Sequence, residues 1–435
     1  MKVRRLFPDL GPLHFHRDFR LIWLGQLVNN LGSEITRVAL PYQLYVLTHS
    51  VVALGALATV QLAALVIFAL LGGAIADASD RRRLLFRTQA GLCAVSVCLA
   101  GLSFSGIVAP WHIFVLALIS GIFSAVDRPA RQSMLPRLVD RPRLTAAIAL
   151  NSMGQQTARI LGPGLGGVMI ASVGLPAAYA LDALTFGAAI AALVAIADIP
   201  PIDMTSRPNW GAMVEGIRFL ARTPILLSAF AIDLDAMVFG FPAGLFPVLA
   251  LDVFHVGPTG LGMLTAARSV GAVLGVSTSG WVRGIRFQGR VVIGAVMVWG
   301  VAIALFGLTS YFPLALLFLV LAGAADNISA ILRSTIMQLS APDGLRGRVS
   351  ALSLMVTNGG PRLGDMEGTG VAALTSAQVS VVSGGLLCIL GLGVVLWRLP
   401  QLISYDAWKA VAEPGPDSLP GPPSGEAAMA LSPPG

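Results

Sequence analysis

Apolar stretches of about 20 residues, the length that crosses a bilayer as a helix, recur along almost the whole chain. No other feature limits the fold as strongly. A backbone in lipid has no water to satisfy its N–H and C=O groups, so each stretch must be an α-helix. Twelve are read, at 21–46, 51–76, 84–106, 111–131, 144–172, 176–198, 224–251, 257–282, 289–310, 312–338, 347–374 and 378–399. Composition points the same way. Of 435 residues, 55% are hydrophobic and 12% charged, against about 25% charged in soluble domains, and the mean hydropathy is +0.79. The expectation is an all-α membrane protein with twelve transmembrane helices.

The formal charge is +7 and the sequence pI about 9.9. The basic residues do not gather in one patch, as nucleic-acid binding requires. They occupy alternate short loops: Arg17 and Arg20; Arg81, Arg82, Arg83 and Arg87; Arg137, Arg141 and Arg143; Arg207, Arg218 and Arg222; Arg283, Arg286 and Arg290; Arg346 and Arg348; Arg398 and Lys409. The loops near His49, Pro110, Pro176, Val256, Tyr311 and Gln378 carry neither Lys nor Arg. The positive-inside rule places both termini in the cytoplasm of a cell-membrane protein. Cys93, Cys98 and Cys388 lie in apolar runs without metal-ligand spacing and read as buried thiols. The first apolar run is too long for a cleavable signal peptide.

The polar interruption at 200–223 reads as a linker between six-helix bundles at 1–199 and 224–399, with a disordered Pro-, Gly-, Ser- and Ala-rich tail at 400–435. Within the linker, Trp210, Met213, Ile217 and Leu220 fall at the spacing of a short interfacial helix. An offset of 202 maps Gly121 onto Gly323, Arg131 onto Arg333, Ala149–Leu150 onto Ala351–Leu352, Leu161–Gly162 onto Leu363–Gly364 and Gly166 onto Gly368. Parallel six-helix repeats are a transporter architecture with the substrate site between the halves.

Ionisable residues inside spans are costly in lipid and face the interior or a wet cavity. Glu34 and Arg37, three residues apart, share a face of the first span. They form either a structural pair or a working one, Glu34 exchanging a proton and Arg37 tuning it or meeting an anionic substrate. Asp233 and Asp235 lie about 200° apart on a helix, so only one faces a given cavity. Asp235, nearer the middle, is preferred. Asp326, Arg159 and Arg268 are central in spans ten, five and eight. Arg362, Asp365 and Glu367 crowd span eleven, with Arg362 and Asp365 on one face. Asp182 reads as a helix-entry residue.

Two motifs carry more. After the second span, Gly73 and Asp77 precede the basic cluster Arg81, Arg82 and Arg83. Glycine there permits close helix approach, and an aspartate at that place favours a neighbouring helix N-terminus. The fifth span holds Gly162-Pro163-Gly164-Leu165-Gly166-Gly167. Its proline removes a backbone hydrogen bond and its glycines allow tight packing.

These motifs resemble the signature loop and the GPxxGG antiporter core of the major facilitator superfamily. With Arg17-Asp18-Phe19-Arg20-Leu21-Ile22-Trp23, Asp127-Arg128-Pro129-Ala130-Arg131-Gln132 and Pro361-Arg362-Leu363-Gly364-Asp365, they are similar to its enterobactin-exporter-like, transmembrane secretion effector branch. The resemblance implies two pseudo-symmetric bundles, alternating access, and spans one, four, seven and ten lining a cavity. It also implies proton-driven efflux of a siderophore, antibiotic or other small molecule. Ala78, Asp80 and Ala158 depart from the motifs, and no arginine precedes Gly121, where many proton-coupled members carry one.

The reading is an exporter of a small amphipathic molecule, working as a monomer in the lipid bilayer. It needs no cofactor and no metal, only a proton gradient, and binds no nucleic acid. An importer or facilitator, and a non-transporting sensor or scaffold, stay open as alternatives. No Ser/His/Asp set, metal cluster or Walker loop points to an enzyme.

Overall fold

The computed structural model describes residues 9–78, 80–196, 210–277 and 284–408. Every regular element among them is helical. Helix α1 (Gly11–Phe15) leads into α2 (Arg17–Thr48), α3 (Val51–Ala78), α4 (Arg81–Phe104), α5 (Pro110–Met134), α6 (Leu144–Ser172) and α7 (Leu175–Ala195). Then come α8 (Trp210–Arg222), α9 (Pro224–Phe239), α10 (Phe246–Val248) with a π-helical turn at Leu249–Val253, α11 (Gly257–Ser277) and α12 (Gln288–Leu308). The chain continues through α13 (Phe312–Ser340), α14 (Asp343–Leu374) and α15 (Ala377–Arg398). Among the described residues, nine helical segments are long and apolar enough to cross a membrane. The other long helices, α2, α6 and α14, are those that carry Glu34 and Arg37, Arg159, and the Arg362–Glu367 group.

Outward faces are apolar. Leu184 is 72% exposed and Leu390 64%, which in water would be a large unpaired apolar surface but in hydrocarbon is matched by the solvent. Exposed Trp111 and Trp397 stand at helix ends, where indoles prefer the lipid headgroup level.

Loops are short because helix ends are satisfied locally. Asp80 N-caps α4, accepting from the backbone N–H of Arg82 at 3.0 Å and of Arg83 at 3.3 Å. Gly174, at φ 92°, makes the tight link from α6 to α7 with a backbone that side chains disfavour.

The same pairings occur twice along the chain. Helix α2 packs on α6 and α7, α4 on α5 and α7, and α3 on α5; likewise α9 packs on α14 and α15, α12 on α13 and α15, and α11 on α13. The two sets meet along α6 with α11 and α3 with α14. Glycines matched by the 202-residue offset occupy matching places. Gly121 faces Ala64 of α3 and Gly323 the backbone of Arg268 in α11; Gly162 faces α2 and Gly364 faces α9.

One large apolar cluster runs through both sets, from Leu44, Leu54 and Tyr179 to Leu249, Leu261 and Phe306 near the arginine-free loops, and in the second set on to Val292, Ile336 and Leu402 at the arginine-rich end. Near the arginine-rich loops there are two further clusters. One is built on Phe19, Leu85, Met134 and Leu193, the other on Leu226, Phe230, Ala341 and Val349.

Helix α8 stands where the linker helix was expected, tied to α14 by Glu215–Arg348 at 2.6 Å. The remainder of that linker, 197–209, lies outside the described residues. The tail boundary needs a correction. Residues 400–408 are folded: Leu402 and Ala407 are buried, Ala407 N–H donates to the Arg286 carbonyl, and Asp406 pairs with Arg286 at 2.7 Å. Residues 409–435 lie outside the described residues.

Candidate functional site

Helix α6 is wedged between α2 and α11, and its glycines make this possible. A side chain at Gly162 would collide with Glu34 Cβ and the Leu31 carbonyl of α2, one at Gly166 with Ile35, and one at Gly167 with Pro258, Thr259 and Gly262 of α11. Gly262 in turn lies against the carbonyl of Pro163. The expected antiporter motif therefore serves two neighbours: Gly162 and Gly166, one turn apart, face α2, while Gly167 faces the other repeat. This close approach holds Glu34 in place. Its side chain is 10% exposed and pairs with Arg37 at 3.2 Å, while Arg37 is 51% exposed.

In the second repeat the seventh expected span, 224–251, is not one continuous helix. It breaks between α9 and α10 at Gly240-Phe241-Pro242, because proline has no N–H to donate and disfavours helix in the residue before it. Buried side chains satisfy the groups this frees. Trp299 Nε1 donates to the Gly240 carbonyl at 3.0 Å, and Asp365 Oδ1 accepts from the Gly244 N–H at 2.6 Å. Asp365 is thus chiefly a cap for the broken helix, with its sequence partner Arg362 farther off at 4.0 Å. Arg268 pairs with Asp326 at 2.8 Å and lies over the Phe241 ring at 3.9 Å.

These groups converge. Arg128 lies within electrostatic reach of Arg37, Arg159 and Arg362. Arg159 is within reach of Arg37, Glu34 and Arg268, and Arg268 of Asp365. Arg128 and Arg159 are nonetheless exposed. A guanidinium that is exposed, yet surrounded by charges from other helices, faces an internal space between the two sets. Arg128 also spans the sets, donating to Asn358 Oδ1 of α14 at 3.2 Å. Of the expected cavity residues, Glu34, Arg37, Arg159, Asp326, Arg362 and Asp365 are brought together here.

Others lie elsewhere. Asp235 points at Gly391 and Cys388 of α15, away from this group. Asp233 is bound by Arg333 at 2.5 Å. Glu367 is half-buried, without ion pair or hydrogen bond among the described residues. Asp182, read as a helix-entry residue, is instead a buried hub accepting from Thr36 at 2.6 Å and Ser96 at 2.8 Å. In the signature loop, Arg82 caps the end of α7 by donating to the carbonyls of Leu193 and Val194, each at 2.9 Å. Arg83 pairs with Asp80 at 3.4 Å. Gly73, Asp77 and Arg81 fall in α3 and α4, but their side-chain surroundings lie outside the described residues.

Sequence reasoning missed Arg128 as a site residue. The signal was present: Asp127 and Arg131, four apart, share a face and pair, which turns Arg128 to another face. It also missed Tyr45, whose hydroxyl donates to Asp252 and joins α2 to the π-turn of the other repeat.

The profile of the transmembrane secretion effector family matches residues 9–418. Enterobactin exporter EntS of Citrobacter koseri is 27% identical over 392 residues, covering 89% of this chain and 93% of that protein. EntS of Shigella flexneri is 27% identical over 393 residues, with the same coverage of 89% and 93%. A POT family transporter in complex with 5-aminolevulinic acid superposes with a TM-score of 0.72 at 13% identity, covering 91% of this chain and 99% of that one. Nucleoside transporter NupG gives 0.67 at 15% identity, covering 89% and 100%. At such identities these structures speak to the fold alone. With its sequence matched to one family over nearly its whole length and its fold shared with solved transporters, this chain belongs to the transmembrane secretion effector branch of the major facilitator superfamily and is a membrane transporter rather than an enzyme.

Proposed function

We propose that this chain exports a small amphipathic molecule, of the siderophore, drug or secondary-metabolite kind, by proton antiport and alternating access of two six-helix bundles with cytoplasmic termini. The carrying observation is the meeting of ionisable side chains from both repeats in one internal space. The relatives' name, enterobactin exporter, supports the direction and the substrate range. The doubled set of helix pairings supports the two bundles. The contacts that join the repeats at the arginine-free end, Gly167 with Gly262 and Tyr45 with Asp252, support a state open toward the cytoplasm.

In this mechanism Glu34 carries the proton. Ionised, it pairs with Arg37 at 3.2 Å; protonated, it releases Arg37 and is cheap to hold in a low-dielectric interior. An inside-negative potential contributes about 2.3 kcal/mol per charge per 100 mV, so one proton per cycle sustains a useful substrate gradient.

The test uses everted vesicles and a panel of hydrophobic dyes, siderophores and antibiotics. The energised wild-type protein is expected to accumulate substrate. Glu34→Gln keeps the shape and removes the titration. It is expected to bind and to pass substrate downhill, while losing uphill accumulation driven by a pH gradient. Uphill accumulation at the normal rate in Glu34→Gln would make Glu34 structural.

A further inference from the structure

Five arginines from five helices face the space between the repeats: Arg37 of α2, Arg128 of α5, Arg159 of α6, Arg268 of α11 and Arg362 of α14. Three carboxylates stand with them. Glu34 pairs with Arg37 at 3.2 Å, Asp326 with Arg268 at 2.8 Å, and Asp365 is 4.0 Å from Arg362. Asp127 is also within reach of Arg128, but Arg131 occupies it. Among the described residues, two positive charges are left over.

They belong to Arg128 and Arg159, whose hydrogen bonds go to the neutral amide oxygens of Asn358 at 3.2 Å and Gln156 at 3.4 Å. Cations without a counter-charge inside a membrane domain are rare and mark a substrate or ion path. Hydrogen bonds to amides leave most of each guanidinium fork free, and that fork matches carboxylate, sulfonate or catecholate oxygens two at a time. The Phe241 ring, beneath Arg268, adds aromatic surface at the same place.

Resting on the exporter reading above, we propose that the transported molecule is an amphipathic organic anion, its negative charge met by Arg128 and Arg159 and its apolar part lying toward Phe241. A cationic or uncharged molecule would leave both guanidinium groups unmatched.

The test compares two fluorescent probes with one ring framework, anilinonaphthalenesulfonate and its uncharged parent N-phenylnaphthylamine. They are titrated into the full-length protein in nanodiscs of zwitterionic lipid. The sulfonate is expected to bind tighter than the parent. Arg128→Gln and Arg159→Gln are each expected to weaken the sulfonate roughly tenfold, as loss of a charged hydrogen bond does, and to leave the parent unchanged. Arg128→Lys and Arg159→Lys, which keep the charge, are expected to recover part of the loss. They also serve as the folded reference should a glutamine variant run as aggregate.

Equal binding of both probes, or a sulfonate affinity unmoved by the substitutions, overturns the assignment. Displacement of the sulfonate by anionic lipid as readily as by excess sulfonate makes the site a headgroup site and likewise overturns it. Uptake of both probes into energised everted vesicles is followed in parallel. Uptake of the parent without the sulfonate refutes the anion and leaves export standing. Uptake of neither speaks against export, and the binding arm still decides the anion.

Discussion

Asp127 accepts from Thr88 at 3.0 Å and Gln89 at 2.8 Å and pairs with Arg131, four residues on. Asn29 donates into the same group through Gln89 at 3.4 Å. The place 202 residues later is occupied by Ser329, which accepts from Arg333 at 2.9 Å while α9 supplies the carboxylate, Asp233. The repeats thus keep an ion-paired arginine, half-buried at Arg131 and buried at Arg333, and change where its counter-charge comes from. Asp127→Ala strands Arg131 in the interior. It is expected to cost on the order of 3 kcal/mol, read as a fall of several degrees in the unfolding temperature of purified protein; an unchanged temperature would remove Asp127 from the structural core. Glycines offer a paired experiment. Gly162 faces Glu34, whereas nothing lies within 4 Å of a side chain placed at Gly164. Gly162→Val overpacks the contact, at about 1–3 kcal/mol, and displaces Glu34, so transport is expected to fall sharply. Gly164→Ala is expected to keep wild-type transport. Equal loss in both would mean that the motif acts through helix flexibility rather than through the α2 contact.

Elements bring the two repeats together on the arginine-free side. Gly167 meets Gly262, Tyr45 binds Asp252, and Gly55 faces Thr369. Small residues let backbones touch, so helix contact in lipid gains dispersion over a continuous surface rather than at a few side chains. Gly262→Leu inserts a side chain against Pro163 and Gly167 and is expected to push α6 from α11. Spin labels at residues 173 and 256, in the loops flanking this contact, are expected to report a longer distance. An unchanged distance, with the protein folded, would show that another contact keeps this side shut. The break in α9 belongs to the same scale. Its free backbone groups are taken up by Trp299 and Asp365, so irregular backbone in the membrane interior is satisfied by protein rather than lipid.

At the scale of the molecule, arginines near the helix ends tie elements together. Arg82 caps α7, Arg286 holds the folded start of the tail, and Arg348 ties down α8. These arginines therefore have structural work of their own. A reporter active only outside the cytoplasm, fused at residue 400, is expected to stay silent, since the preceding loops on that side carry the positive charge. A strong signal would invert the topology and with it the export direction.

Helix positions were legible in the chain itself, because each apolar stretch must satisfy its own backbone in lipid and so depends little on its neighbours. The α8 segment was legible from the spacing of its apolar residues, and the Glu34–Arg37 pair from their separation by one turn. The break at Gly240-Phe241-Pro242 was not read, though glycine and proline mark it, because hydropathy averages across it. Which face a charge presents was decided only by packing. Asp235 turned to α15, Asp182 became a hub for α2 and α4, and Arg128 was set against Asn358 of α14. Spacing along one helix fixes angles around that helix alone. The excess of two positive charges arises from side chains on five helices, 325 residues apart from Arg37 to Arg362, and exists only once tertiary packing sets them around one space.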